Sequence, residues 1–319
     1  MKSIKPKHRG SRSRKKNQHK PLSLEKQIIR LISRHAHRGY AKTSGKKLRS
    51  DRTVSRYQGD LTRAVRWIAS QKAVSYLKAI STEEAQAYIN ARIKDNLTRQ
   101  TLQGYAMALQ LLPNVGSLNL PPVEKKQQKP SRAYTVEQIR LIQSQLPAPY
   151  QLAIQILWES GCRVQDLASL RLAHETTLQK ARHHALDPQR FTGREHWIKV
   201  QYRGKGGHDY QSAISPQTAH RLETYRLTSP RDFKGREGIR RLAQQYYDLP
   251  AGQCLSRAFS QAAYRVLGWS HGAHGLRHTY AQTRLQECLD QNVPLITAKR
   301  WVSQTLGHYR PHVVNVYLR

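Results

Sequence analysis

Near its end the chain reads TLGHYRPHVVNVY, which sets His308 a short distance before Tyr317. A late tyrosine, taken alone, is an amphipathic side chain that packs a terminal element against a core. The stretch AHGLRHTYAQ adds more. Its His274, Arg277 and His278 are spaced so that, at the start of a helix, all three project from one face near the positive end of the helix dipole. A phosphate would be welcome there. The rival is a metal site built from His271, His274 and His278. Arg277 among them would repel a cation, and no nearby Cys or acid completes a ligand set. Upstream, GCRVQDLASL places Arg163 on the turn after Gly161, where by itself it is a capping or salt-bridging residue. WIKVQYRGKGGHDYQSAIS alternates about a glycine-containing turn and reads as a β-hairpin with Lys205 near its tip. Lys199 falls inside the strand pattern instead.

The elements that must hold these residues are mostly helical. Capping boxes at Ser81-x-x-Glu84 and Thr135-x-x-Gln138 open two helical segments, and Pro113 closes another. Helical patterns resume after the second box through IRLIQSQL and YQLAIQILWES, and again at 215–227, 236–247, 256–267 and 275–290. In DRTVSRYQGDLTRAVRWIAS, Val54, Tyr57, Leu61, Val65 and Ile68 fall on one helical face. Arg52, Arg56, Arg63 and Arg66 gather within about 80° on the other. A solvated face usually mixes signs, so an arginine stripe points to nucleic-acid phosphates, which the planar guanidinium can meet with two hydrogen bonds.

Composition agrees. The 319 residues carry 55 Lys+Arg against 20 Asp+Glu, a formal net charge of +35, and a polyanion is the natural partner. Residues 1–21 are basic and almost free of apolar side chains, which predicts a disordered, phosphate-binding arm. Residues 22–120 read as a helical domain, 121–134 (PPVEKKQQKPSRAY) as a linker, and 135–319 as a second domain. No apolar run reaches the roughly 18 residues that span a bilayer. Cys162, Cys254 and Cys288 form neither a disulfide framework nor a CxxC site, so a reducing cytoplasmic setting, associated with the nucleoid and without a membrane, is expected.

Taken in order, GCRVQDL, RGKGG, HGLRH and LGH followed by VY resemble the tyrosine recombinase, or phage integrase, family. The resemblance covers about residues 50–317 and is clearest from 155 onward. It implies a mainly α fold with a small antiparallel β-sheet in the catalytic domain, closing on DNA as a two-domain C-shaped clamp. Carried over by motif, Tyr317 is the nucleophile, and Arg163, Lys205, His274, Arg277 and His308 support it.

The two guanidiniums would meet charge on the non-bridging phosphate oxygens, and Lys205 would protonate the leaving 5′ oxygen. His274 and His308 would handle protons, with His274 as the base. Asp166 resembles the acid that orients the first arginine. A 3′-phosphotyrosyl link conserves the phosphodiester energy, so no cofactor, ATP or divalent ion is expected, in keeping with a sequence that shows no P-loop and no acidic metal cluster.

The implied activity is site-specific recombination or integration, as for a mobile genetic element. The partners would be double-stranded DNA, further copies of the chain up to a tetramer, and an accessory DNA-bending or directionality protein. A type IB topoisomerase-like enzyme and a non-catalytic architectural or regulatory DNA-binding protein are the alternatives. Tyr280 and Tyr309 are rival nucleophiles at the wrong offset from LGH. Residues 173–196 and the stretch QECLDQNVPLITAKRWVSQT look like insertions. Because only Leu318 and Arg319 follow Tyr317, subunit assembly is expected to use other surfaces, such as 173–196 or the basic arm.

Overall fold

The computed structural model describes residues 22–36, 48, 51–122, 130–178, 186–204, 208–234 and 241–318. The basic arm, Lys205 and the side chain of Arg52 lie outside the described residues. The chain divides into two compact units, Met1–Lys125 and Lys126–Arg319.

In the first unit, α1 (Leu24–His35), α2 (Asp51–Gln71), α3 (Thr82–Lys94) and α4 (Arg99–Leu109) enclose one apolar core. The apolar face expected of α2 is buried there: Val54, Tyr57, Leu61, Val65 and Ile68 all pack inward with Ile28, Ile89 and Leu109. The first capping box forms as expected. The Ser81 hydroxyl accepts from the Glu84 N–H at 3.4 Å, and the Glu84 carboxylate accepts from the Ser81 N–H at 2.9 Å.

The second unit opens with Tyr134 already in its core and with the second capping box, where Thr135 and Gln138 exchange the equivalent bonds. Helices α5 (Val136–Ser144) and α6 (Ala148–Ser160) follow. Helix α6 stops at Gly161, whose φ of +63° suits glycine, and a Cβ there would lie 2.2 Å from the Tyr280 ring. Next comes a three-stranded antiparallel sheet in the order β1 (Arg171–Leu172), β2 (Ile198–Arg203), β3 (Asp209–Ile214). The β2–β3 register runs from Ile198 opposite Ile214 to Arg203 opposite Asp209, so the two strands of the hairpin expected from alternation are paired. Helices α7 (Pro216–Glu223), α8 (Gly252–Leu267), α9 (His274–Asp290) and α10 (Leu295–Thr305) complete the unit, with a short 3₁₀ segment at Pro311–Val316.

One element departs from expectation. Of the helix predicted over 236–247, the described part is instead strand β5 (Arg241–Tyr247), paired antiparallel with β4 (Arg226–Lys234), while 236–240 lie outside the described residues. Burial explains it: Gln245, Tyr247 and Leu249 point inward and the residues between them are more open, a period of two. Pro230 falls where the register slips between Arg226 and Arg231 in a two-stranded sheet, and strands tolerate proline at such irregularities and at edges.

Within the 173–196 stretch, residues 187–194 pack into this unit. Phe191, Arg190 and Arg194 are buried. Arg194 makes a two-pronged ion pair with Glu287 of α9, at 2.6 and 2.7 Å, and donates to the Glu159 carbonyl at 2.9 Å. Arg284 of α9 reaches back to the carbonyls of Arg190 and Thr192 at 3.1 and 2.8 Å. These bonds bind 187–194 into the same unit as α9.

Candidate active site

Helix α9 starts at His274, preceded by Gly272 at a φ of +71°, so Arg277 falls in its first turn. Arg277 is 1% exposed and uses three nitrogens. Nη1 donates to the Gly161 carbonyl and Nη2 to the Leu306 carbonyl at 2.6 Å, while Nε donates to Tyr317 Oη at 3.2 Å. One guanidinium thus joins the end of α6, the end of α10 and the phenol.

Arg163 follows two residues after that same Gly161. Its Nη1 pairs with Asp166 Oδ2 at 3.2 Å, and its Nη2 lies 3.4 Å from His308 Nε2. Asp166 is 4% exposed, and its Oδ2 also accepts from Tyr210 Oη at 2.9 Å. The acid therefore orients Arg163, and β3 orients the acid. About a quarter of the Arg163 side chain remains open, at 26%.

His308 sits on the turn after α10. Gly307 before it has a φ of +69°, and a Cβ there would lie 2.8 Å from the Tyr210 ring. The His308 N–H donates to the Ser303 carbonyl at 2.9 Å, and Nε2 lies 2.8 Å from Tyr317 Oη. Tyr317 closes the 3₁₀ segment, its N–H donating to the Val314 carbonyl, and its ring packs with Tyr280, Val302, Leu306 and Val314. His274 and His278 flank that ring, with centroids 6.0 and 5.0 Å away.

Five of the six expected residues thus meet at one place: Arg163, His274, Arg277, His308 and Tyr317. Lys205 lies outside the described residues, although the base of its hairpin is closed by the Gly204 N–H donating to the His208 carbonyl at 2.8 Å. The imidazole within hydrogen-bond distance of the phenol is that of His308, whereas the His274 ring lies beside the Tyr317 ring with centroids 6.0 Å apart. The rival tyrosines are engaged elsewhere, Tyr280 Oη 3.3 Å from Ser212 Oγ and Tyr309 Oη donating to the Asp209 carbonyl at 2.8 Å. Lys199 extends over the Phe191 ring at 5.4 Å. Among the described residues no cluster of three or more His, Cys, Asp or Glu is arranged to hold a metal, the His271, His274 and His278 trio included.

Desolvation, then the charges of Arg277 and Arg163, pushes the His308 imidazole down to about 3. Desolvation, followed by Arg277 and His278, pushes His274 to about 4. His274 has an exposed edge that solvent screens, so the more enclosed His308 carries the argument. Both rings are therefore neutral at neutral pH, beside the guanidiniums of Arg163 and Arg277.

A stability prediction follows from His308. Unfolded, its imidazole titrates near 6.5; folded, it resists protonation, so the unfolded chain binds the extra proton. Stability is complete above about pH 6.5 and is lost as pH falls toward about 3. Between pH 6.5 and 4.5 the urea midpoint of the second unit should fall, with a slope below about 1.4 kcal/mol per pH unit for this proton. His308→Gln should blunt that fall; an identical pH dependence in the variant would contradict it.

The stripe on α2 is less bare than its sequence suggests. Asp60, 4% exposed, pairs with Arg63 at 2.6 Å and with Arg56 at 3.4 Å, and Arg66 pairs with Glu25 of α1. Arg56 also lies across α4, because a Cβ on Gly104 would fall 2.0 Å from its Nη2. The side chains of Arg56, Arg63 and Arg66 are still more than half exposed.

No protein-family model and no curated protein matches the sequence. Solved structures do match. A lambda integrase tetramer bound to a Holliday junction aligns with a TM-score of 0.54 at 15% identity, covering 94% of this chain and 78% of that one. XerH site-specific recombinase bound to difH substrate, in a pre-cleavage complex, gives 0.53 at 16% identity, covering 83% and 75%. The Tn1549 transposon integrase in complex with transposon right end DNA gives 0.50 at 13% identity, covering 93% and 95%. Identities this low speak to fold and not to activity, and on that ground the chain has the tyrosine recombinase fold.

Proposed function

We propose that this chain is a site-specific DNA recombinase or integrase that cleaves and rejoins strands through a 3′-phosphotyrosyl link to Tyr317. The observation that carries the reading is the placement of Tyr317 Oη between a buried guanidinium and a neutral imidazole, at 3.2 Å from Arg277 Nε and 2.8 Å from His308 Nε2. Arg277 donates to the phenol oxygen and His308 can accept its proton, so charge that develops on the oxygen is met from one side as the proton leaves on the other.

In the proposed step Tyr317 Oη bonds to phosphorus while the bond to the 5′ oxygen breaks. Arg163, the more open of the two guanidiniums, meets the non-bridging oxygens, with His274 beside it. The 5′ oxygen takes a proton from Lys205. Reversal by an incoming 5′ hydroxyl reseals a strand and needs no external energy source. Arg56, Arg63 and Arg66 hold duplex phosphates outside the site, which makes affinity steeply salt-dependent. Strand exchange between two duplexes would take further copies of the chain, up to a tetramer.

The test uses the full chain and a pool of nicked duplexes of randomised sequence, in which the short 3′ fragment diffuses away after cleavage and traps the enzyme on DNA. The expected result is an SDS-resistant adduct that survives chelator and needs no nucleotide, enriched for particular sequences. Absence of an adduct from the whole pool would overturn the enzyme reading in favour of a non-catalytic DNA-binding protein. Sequence-indifferent relaxation of plasmid by the monomer would favour a topoisomerase.

A further inference from the structure

Helix α9 carries a second seam beside the catalytic one. Gly275, Thr279 and Gln282 are spaced by four and three residues, so they share a face. Along that face lies the short strap Ser131–Tyr134 that leads into α5. A Cβ on Gly275 would lie 2.5 Å from the Arg132 carbonyl oxygen and 2.4 Å from the Tyr134 ring, so only glycine admits the strap here. The Thr279 hydroxyl accepts from the Tyr134 N–H at 2.8 Å and donates to the Tyr134 carbonyl at 2.9 Å. Arg132 Nη2 donates to the His271 carbonyl at 2.6 Å, just ahead of α9.

The third residue of the seam reaches further. Gln282 Nε2 donates to the main-chain carbonyl of Tyr317 at 2.9 Å and to Ser131 Oγ at 3.3 Å. From this bridge we infer that Gln282 is a positioning residue for the nucleophile, fastening the Tyr317 main chain to the strap so that displacement of the strap is felt at the phenol. A primary amide has two N–H bonds, one for each acceptor. Aspartate or glutamate could not replace it, because a carboxylate facing a carbonyl has nothing to donate. The phenol oxygen is aimed by Arg277 and His308 at one end, and Gln282 holds the backbone from which that ring swings. A misplacement of about 1 Å at a reacting atom costs on the order of 10²-fold in rate.

The inference rests on the proposed function for its effect on rate, and its test separates the two. In the full chain, Gln282→Glu keeps the size of the side chain and removes both donors. Hydrogen exchange of the amides in 311–318 is read in the DNA-free protein, and adduct formation and DNA affinity are read on the trapped duplex. Exchange across 311–318 should speed up by roughly tenfold, and adduct formation should slow by about 10- to 100-fold with DNA affinity unchanged. Ser131→Ala, at an exposed serine whose hydroxyl also accepts from the Ala133 N–H at 3.2 Å, should move both readouts the same way by a smaller factor, and in the Gln282→Glu background should not slow adduct formation further. Unaltered exchange at 311–318 in Gln282→Glu would overturn the inference whatever the activity; should that variant not fold, unaltered exchange in Ser131→Ala would do so. If the parent chain gives no adduct, the proposed function fails, and the exchange data still decide the role of Gln282.

Discussion

Tyr317→Phe is expected to abolish the covalent adduct, lowering its rate of formation by at least about 10⁴-fold, while DNA binding stays within about twofold of the parent. The change removes one oxygen. The ring keeps its seat among Tyr280, Val302, Leu306 and Val314, and that packing is indifferent to the hydroxyl. What is lost is the acceptor for Arg277 Nε and the group that faces His308 Nε2. The stability penalty should be small, on the order of 1 kcal/mol, because Arg277 retains its two carbonyl acceptors and His308 its neighbour Arg163. Gel analysis after SDS reads the adduct, and a mobility shift before SDS reads binding. An adduct that persists in the variant would pass the role to another tyrosine, against the contacts that hold Tyr280 on Ser212 and Tyr309 on Asp209.

The two tyrosines illustrate what the sequence could and could not tell. The gathering of Arg163, His274, Arg277 and His308 about Tyr317 was legible because few residue types suit phosphate chemistry, and their order along the chain restricts them strongly. The α2 core face was legible for a different reason: periodicity is local, and Val54 to Ile68 follow one turn after another. The pairing of Asp60 with Arg56 and Arg63 was also within reach, since spacings of three and four on a helix make neighbours. The β4–β5 pair was missed because 236–247 satisfies a helical pattern about as well as a strand pattern, and the partner strand decides between them.

Contacts across long stretches of chain were out of reach. That Tyr210 holds Asp166, and through it Arg163, depends on how β3 packs against the turn after α6. Which of His274 and His308 comes within hydrogen-bond distance of the Tyr317 phenol likewise depends on where the turn after α10 lands. Gln282 carried one faint signal, its place in register with Gly275 and Thr279.

Arg277→Lys should be the more damaging substitution, because it attacks fold and chemistry together. A lysine keeps the charge but has one nitrogen where Arg277 uses three, so it cannot serve Tyr317 Oη and the carbonyls of Gly161 and Leu306 at once. Those carbonyls close α6 and α10, the helices whose ends carry Arg163 and His308. Two buried acceptors would lose their donor, and an ammonium would be enclosed where the guanidinium is only 1% exposed. A loss of about 3–5 kcal/mol is expected, read as a lower denaturation midpoint of the second unit. Activity should fall further than stability explains: at a temperature where the variant is still folded by circular dichroism, the adduct should form at least about 10³-fold more slowly. The excess arises because Tyr317 loses its donor just as the turns bearing Arg163 and His308 lose their common anchor. If Arg277→Lys melts early yet forms adduct within about tenfold of the parent while folded, Arg277 is a structural tie, and stabilisation of the phenol oxygen must come from Arg163.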